Sequence, residues 1–428
     1  MDRCIDQEGL MSTNTSTIES RVRSYCRSFP TTFVRAEGST MIDVEGQRYL
    51  DFFAGAGALN YGHNEAFMRE RLLAYIEDCG IGHSLDMATR AKGEFLDAFE
   101  RLVLVPRDLR YRVMFTGPTG TNAVEAALKL ARKVTGRRSV VAFTNAFHGM
   151  TLGALAVTGN RVHRVGVGAS SSDVVRMPFD GYLGPSVDTM EYIEMMLDDP
   201  SSGVDPPAAF IVETIQAEGG IHVASVAWLR RLHELAQRHG ALLIVDDIQV
   251  GCGRAGTFFS FERAGLRPDV VCLSKSISGM GLPFALALIR PEVDVWEPGE
   301  HNGTFRGNNL AFVTARAALE RFWTDDRLML DVAVKSTRVA ERLRGIAERS
   351  GAAARGRGLI QGLVFDHAPS LAKTAMQAAF HRGLVIETAG ARNQVLKLLP
   401  PLTIEQQDLD AGLDIIEAAV MSACEGAR

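Results

Sequence analysis

From about residue 110 onwards, the chain alternates short apolar segments with longer amphipathic ones, at lengths typical of β-strands and helices. The strand-like segments are continuous apolar runs, which lie at 111–116, 140–143, 208–212 and 241–245. The segments at 122–134 and 227–239 instead place apolar residues on one helical face, and Asn122 and Glu125 have the spacing of a capping box. Continuous apolar strands between amphipathic helices are typical of a parallel sheet that is covered on both faces. The pattern therefore predicts an α/β fold.

A different pattern follows residue 310. Helices are expected near 311–323, 328–349 and 405–422, and short strands near 359–365, 384–388 and 395–399. We expect a smaller α+β domain here, completed by apolar residues between 30 and 52. The predicted organisation is a disordered tail over 1–24, the N-terminal part of the small domain over 25–60, a large domain over 61–310, and the C-terminal small domain over 311–428.

Charge and cysteine usage exclude several classes of protein. The 46 Lys and Arg against 51 Asp and Glu give a net charge of −5, which does not favour nucleic acid as a partner. Six cysteines without a CxxC pair favour a reduced, cytoplasmic protein with no metal site. No apolar run reaches the roughly 18 residues that span a membrane, and the first 20 residues lack the pattern of a signal peptide. Met11 is an alternative start.

Lys275 is the first candidate catalytic residue. It ends the apolar run at 270–274, and another apolar run follows at 283–289. Burial disfavours the ammonium form, so a lysine held in dry surroundings becomes a nucleophile towards carbonyl groups. A lone lysine at a strand end more often extends into water. Glu213 and Asp246 also end strand-like runs, and ligands of parallel sheets bind beyond the carboxyl ends of the strands. The three residues together predict a site at this edge.

Other residues suit a phosphorylated aromatic cofactor, although each has an ordinary structural explanation. The segment 117–121 lies between a strand and a helix, where backbone N–H groups bind phosphate, but it is also a common turn. Asp246 could pair with a protonated ring nitrogen or cap a turn, and Gln249 could offer its amide to a phenolic oxygen. Phe147 could stack on a ring or belong to the core, and His148 could be structural.

These motifs in this order resemble the class III aminotransferases, which carry pyridoxal 5'-phosphate on a fold-type-I scaffold. The matching segments cover nearly the whole chain from residue 30: Asp51-Phe52, Gly62-His63, Gly120-Thr121, Phe147-His148-Gly149, Glu213, Glu218-Gly219-Gly220, Asp246 with Gln249, Lys275 and Thr304. Longer stretches at 117–127, 299–309 and 397–402 resemble a subgroup that serves ectoine synthesis. That subgroup transfers the amino group of glutamate to aspartate 4-semialdehyde.

The resemblance implies a role for each matching residue. Lys275 would hold the cofactor and move the proton, Asp246 would pair with the ring nitrogen, and Glu218 would be a movable glutamate. The implied cofactor-binding set is Gly120, Thr121, Phe147, His148, Glu213, Asp246, Ile248, Gln249, Lys275 and Thr304. Because Thr304 would reach the phosphate of another subunit, the resemblance implies a homodimer or a dimer of dimers, with no nucleic-acid or membrane partner.

The residues expected to bind substrate depart from the family pattern. Lys397 stands where many relatives have arginine, and Met150 stands where some do; a lysine offers a point charge in place of a two-pronged fork. Arg306 replaces a common glycine and could supply the missing fork, whereas Asp247 replaces a glutamate. The predicted substrate-binding residues are Lys397, Arg306 and Asn60, with no metal. Two alternatives stay open: an ornithine, acetylornithine or 4-aminobutyrate aminotransferase, and a cofactor-free scaffold.

Overall fold

The computed structural model describes residues 18–168 and 172–426. The strands are β1 Phe33–Glu37, β2 Thr40–Asp43, β3 Arg48–Asp51, β4 Arg112–Gly117, β5 Val140–Phe143, β6 Val174–Met177, β7 Ala209–Val212, β8 Ile215–Gln216, β9 His222–Val223, β10 Leu242–Asp246, β11 Val270–Leu273, β12 Ala285–Ile289, β13 Ala353–Arg357, β14 Ile360–Val364, β15 Leu384–Val385, β16 Glu387–Ala389 and β17 Val395–Leu398. The helices are α1 Tyr25–Ser28, α2 Ala54–Gly57, α3 Ala66–Glu77, α4 Arg90–Phe99, α5 Gly120–Thr135, α6 Leu152–Val157, α7 Arg161–Arg164, α8 Thr189–Asp198, α9 Val226–Arg238, α10 Asn309–Phe322, α11 Arg327–Ser350, α12 Ser370–Phe380 and α13 Gln406–Gly426.

The main sheet has the strand order β4-β12-β11-β10-β7-β5-β6. Strands β11, β10, β7, β5 and β6 pair in parallel, and β12 is antiparallel to both of its neighbours. The α/β prediction with a mostly parallel sheet is therefore confirmed. Since the strands run in one direction, β5, β7, β10 and β11 deliver the residues that follow them to the same edge.

Both faces of this sheet are buried, which explains the uninterrupted apolar runs. Along β10, Leu243 and Val245 pack into the core that contains Trp228 of α9. The alternate residues Leu242 and Ile244 pack on the opposite face, against the core that contains α5. Because successive side chains point to opposite faces of the sheet, one apolar segment contributes to two hydrophobic layers.

Helix α5 begins earlier than the sequence suggests. Thr119 has extended backbone angles, and its N–H donates to Asn122 Oδ1 at 3.2 Å, so the capping box joins Thr119 and Asn122. The predicted box between Asn122 and Glu125 is wrong, because the Glu125 carboxylate accepts hydrogen bonds from Thr151 Oγ1 and the Ala154 N–H instead. The earlier start brings Gly120 and Thr121 into the first turn of the helix.

Two smaller sheets lie outside the main one. One has the order β13-β14-β17-β16, and the other has the order β1-β2-β3-β15, in which Leu50 of β3 pairs in parallel with Leu384. The N-terminal strands and the C-terminal region therefore share a sheet. The boundaries at 24, 60 and 310 stay predictions. Residues 1–17, which contain most of the predicted tail and the alternative start at Met11, lie outside the described residues.

None of the described helices combines the length and the apolar character that a membrane crossing requires.

Candidate active site

A cavity lies at the carboxyl edge of the main sheet. The structure brings most of the predicted site residues to its wall: Gly120, Thr121, Phe147, His148, Glu213, Glu218, Asp246, Ile248, Gln249 and Lys275. Gly149, Ile215 and Val250 also line it, and we did not predict them. The edge of the parallel sheet therefore gathers residues that are distant in sequence into one site.

Lys275 follows β11 in a strained turn. Its φ is +54°, a left-handed conformation that costs a non-glycine residue roughly 1–3 kcal/mol and that is found mostly at functional sites. Ser276, next to it, anchors the turn by donating to the Gly57 carbonyl oxygen at 2.7 Å. Burial lowers the pKa of Lys275, although the nearby carboxylate of Glu218 opposes that effect. The amine is thus held in place and loses its proton more readily than an exposed lysine.

The tight turn at α2 also shapes the site. Ala54 and Ala56 both have positive φ angles, and the turn directs the Ala56 carbonyl oxygen towards the cavity. This oxygen accepts hydrogen bonds from Lys275 Nζ at 2.9 Å and from Gln249 Nε2 at 2.8 Å. Gln249 Nε2 is thus already engaged, whereas its Oε1 has no partner among the described residues. Nothing in the sequence of this turn had suggested a part in the site.

Asp246 is buried at another wall of the cavity. Its Oδ2 lies 2.7 Å from His148 Nδ1, and its Oδ1 accepts the Ile248 N–H at 3.2 Å. His148 is buried as well, and its backbone N–H donates to Thr158 Oγ1 at 3.0 Å. A carboxylate fixed in this way can hold a cationic group against the cavity, since two partners set its orientation.

Glu213 lies close to Asp246 and accepts the Phe147 N–H at 3.0 Å. Burial raises the pKa of Glu213 well above its ordinary value, and the charge of Asp246 adds to the effect. Burial therefore disfavours a negative charge on Glu213 at this wall.

The first turn of α5 forms a narrow cradle. A Cβ on Gly149 would lie 2.5 Å from Thr121 Oγ1, and one on Gly120 would lie 2.9 Å from Ile248 Cδ1. Both glycines therefore keep the backbone accessible beside the start of a 16-residue helix. Unpaired N–H groups and the helix dipole favour an anion there.

Glu218 joins the cavity to a buried lysine. Its Oε1 accepts hydrogen bonds from Gln249 Nε2 at 2.9 Å and from Lys397 Nζ at 2.6 Å. Lys397 Nζ also lies 2.9 Å from Glu387 Oε1. Burial raises the pKa of Glu218, but Lys397 and then Lys275 outweigh that effect and bring it down to about 2. Glu218 is thus an anion at the cavity wall.

Glu387 is the functional candidate that sequence reasoning missed. It lies directly opposite Lys397 in the antiparallel pair of β16 and β17. Strands had been predicted near 384–388 and 395–399, so the signal that could have found it is their pairing as a hairpin. The register of that hairpin is set by the turn between them, which the apolar pattern does not reveal.

Four predicted residues do not line the cavity: Lys397, Asn60, Thr304 and Arg306. Asn60 is fully buried, and its amide is used within the structure: Oδ1 accepts from Arg254 Nη2 at 2.6 Å, and Nδ2 donates to the Cys252 carbonyl oxygen at 3.0 Å. Both ends of the Asn60 amide are therefore engaged inside the fold, which does not favour the predicted substrate-binding role. Thr304 and Arg306 lie in the short helical turn Thr304–Arg306, where Arg306 Nη1 donates to the His301 carbonyl oxygen at 3.2 Å.

An amine, an oriented carboxylate and an anion cradle on one cavity define an enzyme that uses a phosphorylated cofactor with a carbonyl group. The sequence profile of the class III aminotransferases matches residues 23–420. The chain belongs to this family, which confirms the resemblance found in the sequence and makes the protein a pyridoxal-phosphate-dependent aminotransferase. Among the described residues, no cluster of three or more His, Cys, Asp or Glu side chains could hold a metal ion.

Similar proteins include enzymes with a narrower assignment. The chain is 57% identical over 409 residues to the diaminobutyrate–2-oxoglutarate transaminase of Bordetella parapertussis, covering 95% of this chain and 94% of that one. It is 54% identical over 412 residues to the enzyme of the same name from Halalkalibacterium halodurans, covering 95% and 96%. A solved transaminase from the marine bacterium Virgibacillus has the same fold, with a TM-score of 0.85 at 17% identity and coverage of 97% and 98%.

The cavity fits pyridoxal phosphate. The start of α5, where neither Gly120 nor Gly149 has room for a Cβ, suits the phosphate. The Asp246 carboxylate suits a protonated ring nitrogen, and Lys275 supplies the amine on the same cavity. Phe147 lies at the wall where a ring could stack.

Proposed function

We propose that the protein transfers the amino group of L-glutamate to the aldehyde carbon of L-aspartate 4-semialdehyde, which gives L-2,4-diaminobutyrate and 2-oxoglutarate. The observation that carries the reaction class is the meeting of Lys275, Asp246 and Glu218 on one cavity. The names of the relatives at 54–57% identity support the choice of substrates.

Pyridoxal phosphate, when bound, supplies the carbonyl group that takes up the amino group and a cationic ring that withdraws electrons from the substrate carbon. Asp246, oriented by His148, keeps the ring nitrogen protonated. The start of α5 binds the phosphate, with Thr121 as a hydroxyl donor, and Phe147 packs on the ring. Lys275 removes and returns the proton at the substrate carbon, a step for which a placed base typically contributes about 10²–10⁴-fold.

The two acidic substrates require carboxylates to be held at two distances from the reacting carbon. We propose that Glu218 moves relative to Lys397 and so exposes or masks its charge. This resting contact, 2.6 Å between Lys397 Nζ and Glu218 Oε1, supports the idea because Glu218 lines the cavity whereas Lys397 lies behind it. We propose Arg306 as the fork for a second carboxylate, contributed from a second subunit.

A homodimer accounts for the position of Thr304 outside the cavity of its own chain. The Ser84 N–H donates to the Gly307 carbonyl oxygen at 3.0 Å, which joins the segments around these two residues. The joined segments expose large apolar side chains, namely Leu85, Met87 and Phe305. An exposed apolar group of this kind suits a surface between subunits. We propose that a second copy covers it and that Thr304 reaches the phosphate of the partner site, in a dimer or a dimer of dimers.

We place the enzyme in the cytoplasm and in ectoine synthesis. The first assignment rests on the unpaired cysteines among the described residues, and the second on the resemblance of the sequence.

The test is an assay of the holoenzyme with glutamate and aspartate 4-semialdehyde, in which mass spectrometry identifies the product. Ornithine, N-acetylornithine and 4-aminobutyrate serve as competing amino donors. We expect 2,4-diaminobutyrate as the main product, and Lys275→Ala should abolish its formation. A preference for ornithine, N-acetylornithine or 4-aminobutyrate over glutamate would overturn the proposed substrates, and full activity of Lys275→Ala would overturn the site.

A further inference from the structure

Lys397 is held between two carboxylates rather than one. Its Nζ lies 2.6 Å from Glu218 Oε1 and 2.9 Å from Glu387 Oε1. Within the described residues, Lys397 is the one cation at ion-pair distance from either carboxylate. Burial raises the pKa of Glu387 to about 7, so above this pH both carboxylates are ionised and the Glu218–Lys397–Glu387 triad carries one net negative charge.

The triad lies in apolar surroundings. A hydrophobic cluster that includes Ile215, Ile221, Val250 and Val395 packs in this region. On the other neighbouring strand, the residue opposite Lys397 is Gly362, which has no side chain to contribute. Lys397 itself is fully buried. Water therefore screens Lys397 and Glu387 weakly, whereas the Glu218 side chain is 27% exposed and faces the cavity.

The carboxylates of the triad act on the reacting amine. Glu218 and Lys275 line the same cavity; burial lowers the pKa of Lys275, with the charge of Lys397 acting in the same direction, whereas the charges of Glu218, Glu387 and Asp246 raise it. A substrate cation that lies next to the reacting group would meet the same field. If Glu387 were absent, Glu218 and Lys397 would form a pair without net charge, and this pair would not attract a cation.

Diaminobutyrate has such a second cation. Its 4-amino group reacts, and its α-ammonium group lies two carbons further along the chain. Aspartate 4-semialdehyde carries the same α-ammonium group at the same distance from its aldehyde carbon. 4-Aminobutyrate has the same reacting amine and the same carboxylate but lacks the α-ammonium group.

We propose that the triad forms a subsite for the α-ammonium group of the diamino acid, in which Glu218 contacts the ammonium and Glu387 is a positioning residue that acts through Lys397. This inference rests on the proposed function. Because Glu387 takes up part of the charge of Lys397, Glu218 keeps negative charge to offer. Glu387, which lies behind the cavity wall, thus determines the preference for a diamino acid over a simple ω-amino acid.

The experiment compares holoenzymes of the wild type and Glu387→Gln in the amine-donor half-reaction. Single turnovers with 2,4-diaminobutyrate and with 4-aminobutyrate are followed by the change in cofactor absorbance. We expect Glu387→Gln to reduce the ratio of the two kcat/KM values by about 10- to 100-fold, because Lys397 then neutralises Glu218 and the charged hydrogen bond from the α-ammonium group to Glu218 is lost. A loss that is only structural would lower both rates together and leave the ratio unchanged.

Glu405→Gln removes one negative charge from the exposed surface and should keep the wild-type ratio. Glu387→Asp retains the charge and should keep most of the preference. An unchanged ratio in Glu387→Gln, with a wild type that prefers diaminobutyrate, overturns this inference alone. A wild type that does not turn over diaminobutyrate overturns the proposed function instead.

A measurement on the wild type keeps the inference testable if Glu387→Gln does not fold. 1,3-Diaminopropane and 1-aminopropane differ only in a second ammonium group. The wild type should show a higher kcat/KM for 1,3-diaminopropane than for 1-aminopropane. Equal values for the two amines would show that the cavity does not recognise a second cation.

Discussion

Replacing Lys397 by Met should make the stability of the protein depend strongly on pH. The substitution removes the one charge that separates Glu218 from Glu387, since Lys397 Nζ lies within 3 Å of both carboxylates. Methionine fills a similar volume, so packing is largely retained. The buried Glu387 then lacks its partner cation, and Glu218 keeps only its hydrogen bond from Gln249 Nε2, a change that costs about 3–5 kcal/mol.

The sign of the effect follows from the pKa values. In the wild type, Lys397 is the main cause that lowers the pKa of Glu218, and burial raises the pKa of Glu387 to about 7 even though Lys397 opposes it. Without Lys397, the pKa of Glu387 lies still further above its unfolded value of about 4.3, and the pKa of Glu218 rises because only Lys275 and Gln249 still oppose the effect of burial. Groups of this kind stabilise the fold at low pH, and that stability is lost as the pH rises through the folded-state pKa.

Thermal melting at pH 5.5 and pH 8.5 measures the effect. Unfolding entropy of about 2.1 cal/mol/K per residue gives about 0.9 kcal/mol/K for 428 residues, so 3–5 kcal/mol corresponds to a decrease of about 3–6 °C at pH 8.5. At pH 5.5 the decrease should be much smaller, because Glu387, whose pKa is already about 7 in the wild type, is neutral there. Adding Glu387→Gln should restore part of the loss at pH 8.5, and the exposed Lys373→Met should change little. Equal decreases at both pH values would refute the reasoning.

Two further predictions concern the cradle and a buried carboxyl group. Gly149→Ala should weaken pyridoxal phosphate binding at least about tenfold, because its Cβ would lie 2.5 Å from Thr121 Oγ1 at a φ of +132°. Titration of the apoenzyme with pyridoxal phosphate measures this affinity. The control Gly345→Ala, whose Cβ meets nothing within 4 Å, should bind the cofactor with wild-type affinity. Unaltered affinity of Gly149→Ala would contradict the position of the phosphate. Burial raises the pKa of Asp247 to about 7 in the fold, so the wild type loses stability as the pH rises through that value. The free energy of unfolding of Asp247→Asn, relative to that of the wild type, should therefore rise by about 3 kcal/mol from pH 5 to pH 8. Melting curves of the two proteins that differ by the same amount at both pH values would exclude this.

The main sheet and its site edge were predictable because their signals are local. The runs at 140–143 and 241–245 are apolar throughout, since side chains on both faces are buried, and the residues that follow such strands must meet at one edge. The direction of β12 was not predictable, because a short apolar run reads the same in a parallel and an antiparallel strand.

The site residues that escaped prediction depend on contacts between distant segments. Glu387 gains its importance from its register opposite Lys397, and Ala56 gains its importance from a strained turn without a distinctive sequence. Asn60 shows the opposite error: a polar residue near a site suggested substrate binding, but the buried Arg254 uses its amide oxygen. Burial of a polar side chain is decided by tertiary packing, which periodicity does not report.

The pairing of β3 with β15 has a consequence for biosynthesis. Leu50 and Leu384 are separated by about 330 residues, so at typical translation rates of 5–20 residues per second the open edge of β3 waits about 20–70 s for its partner strand. During that time the first strands emerge from the ribosome with unpaired backbone groups, which are prone to association with other chains. A chaperone that binds nascent chains would therefore act on the N-terminal segment of this enzyme before its active site has formed.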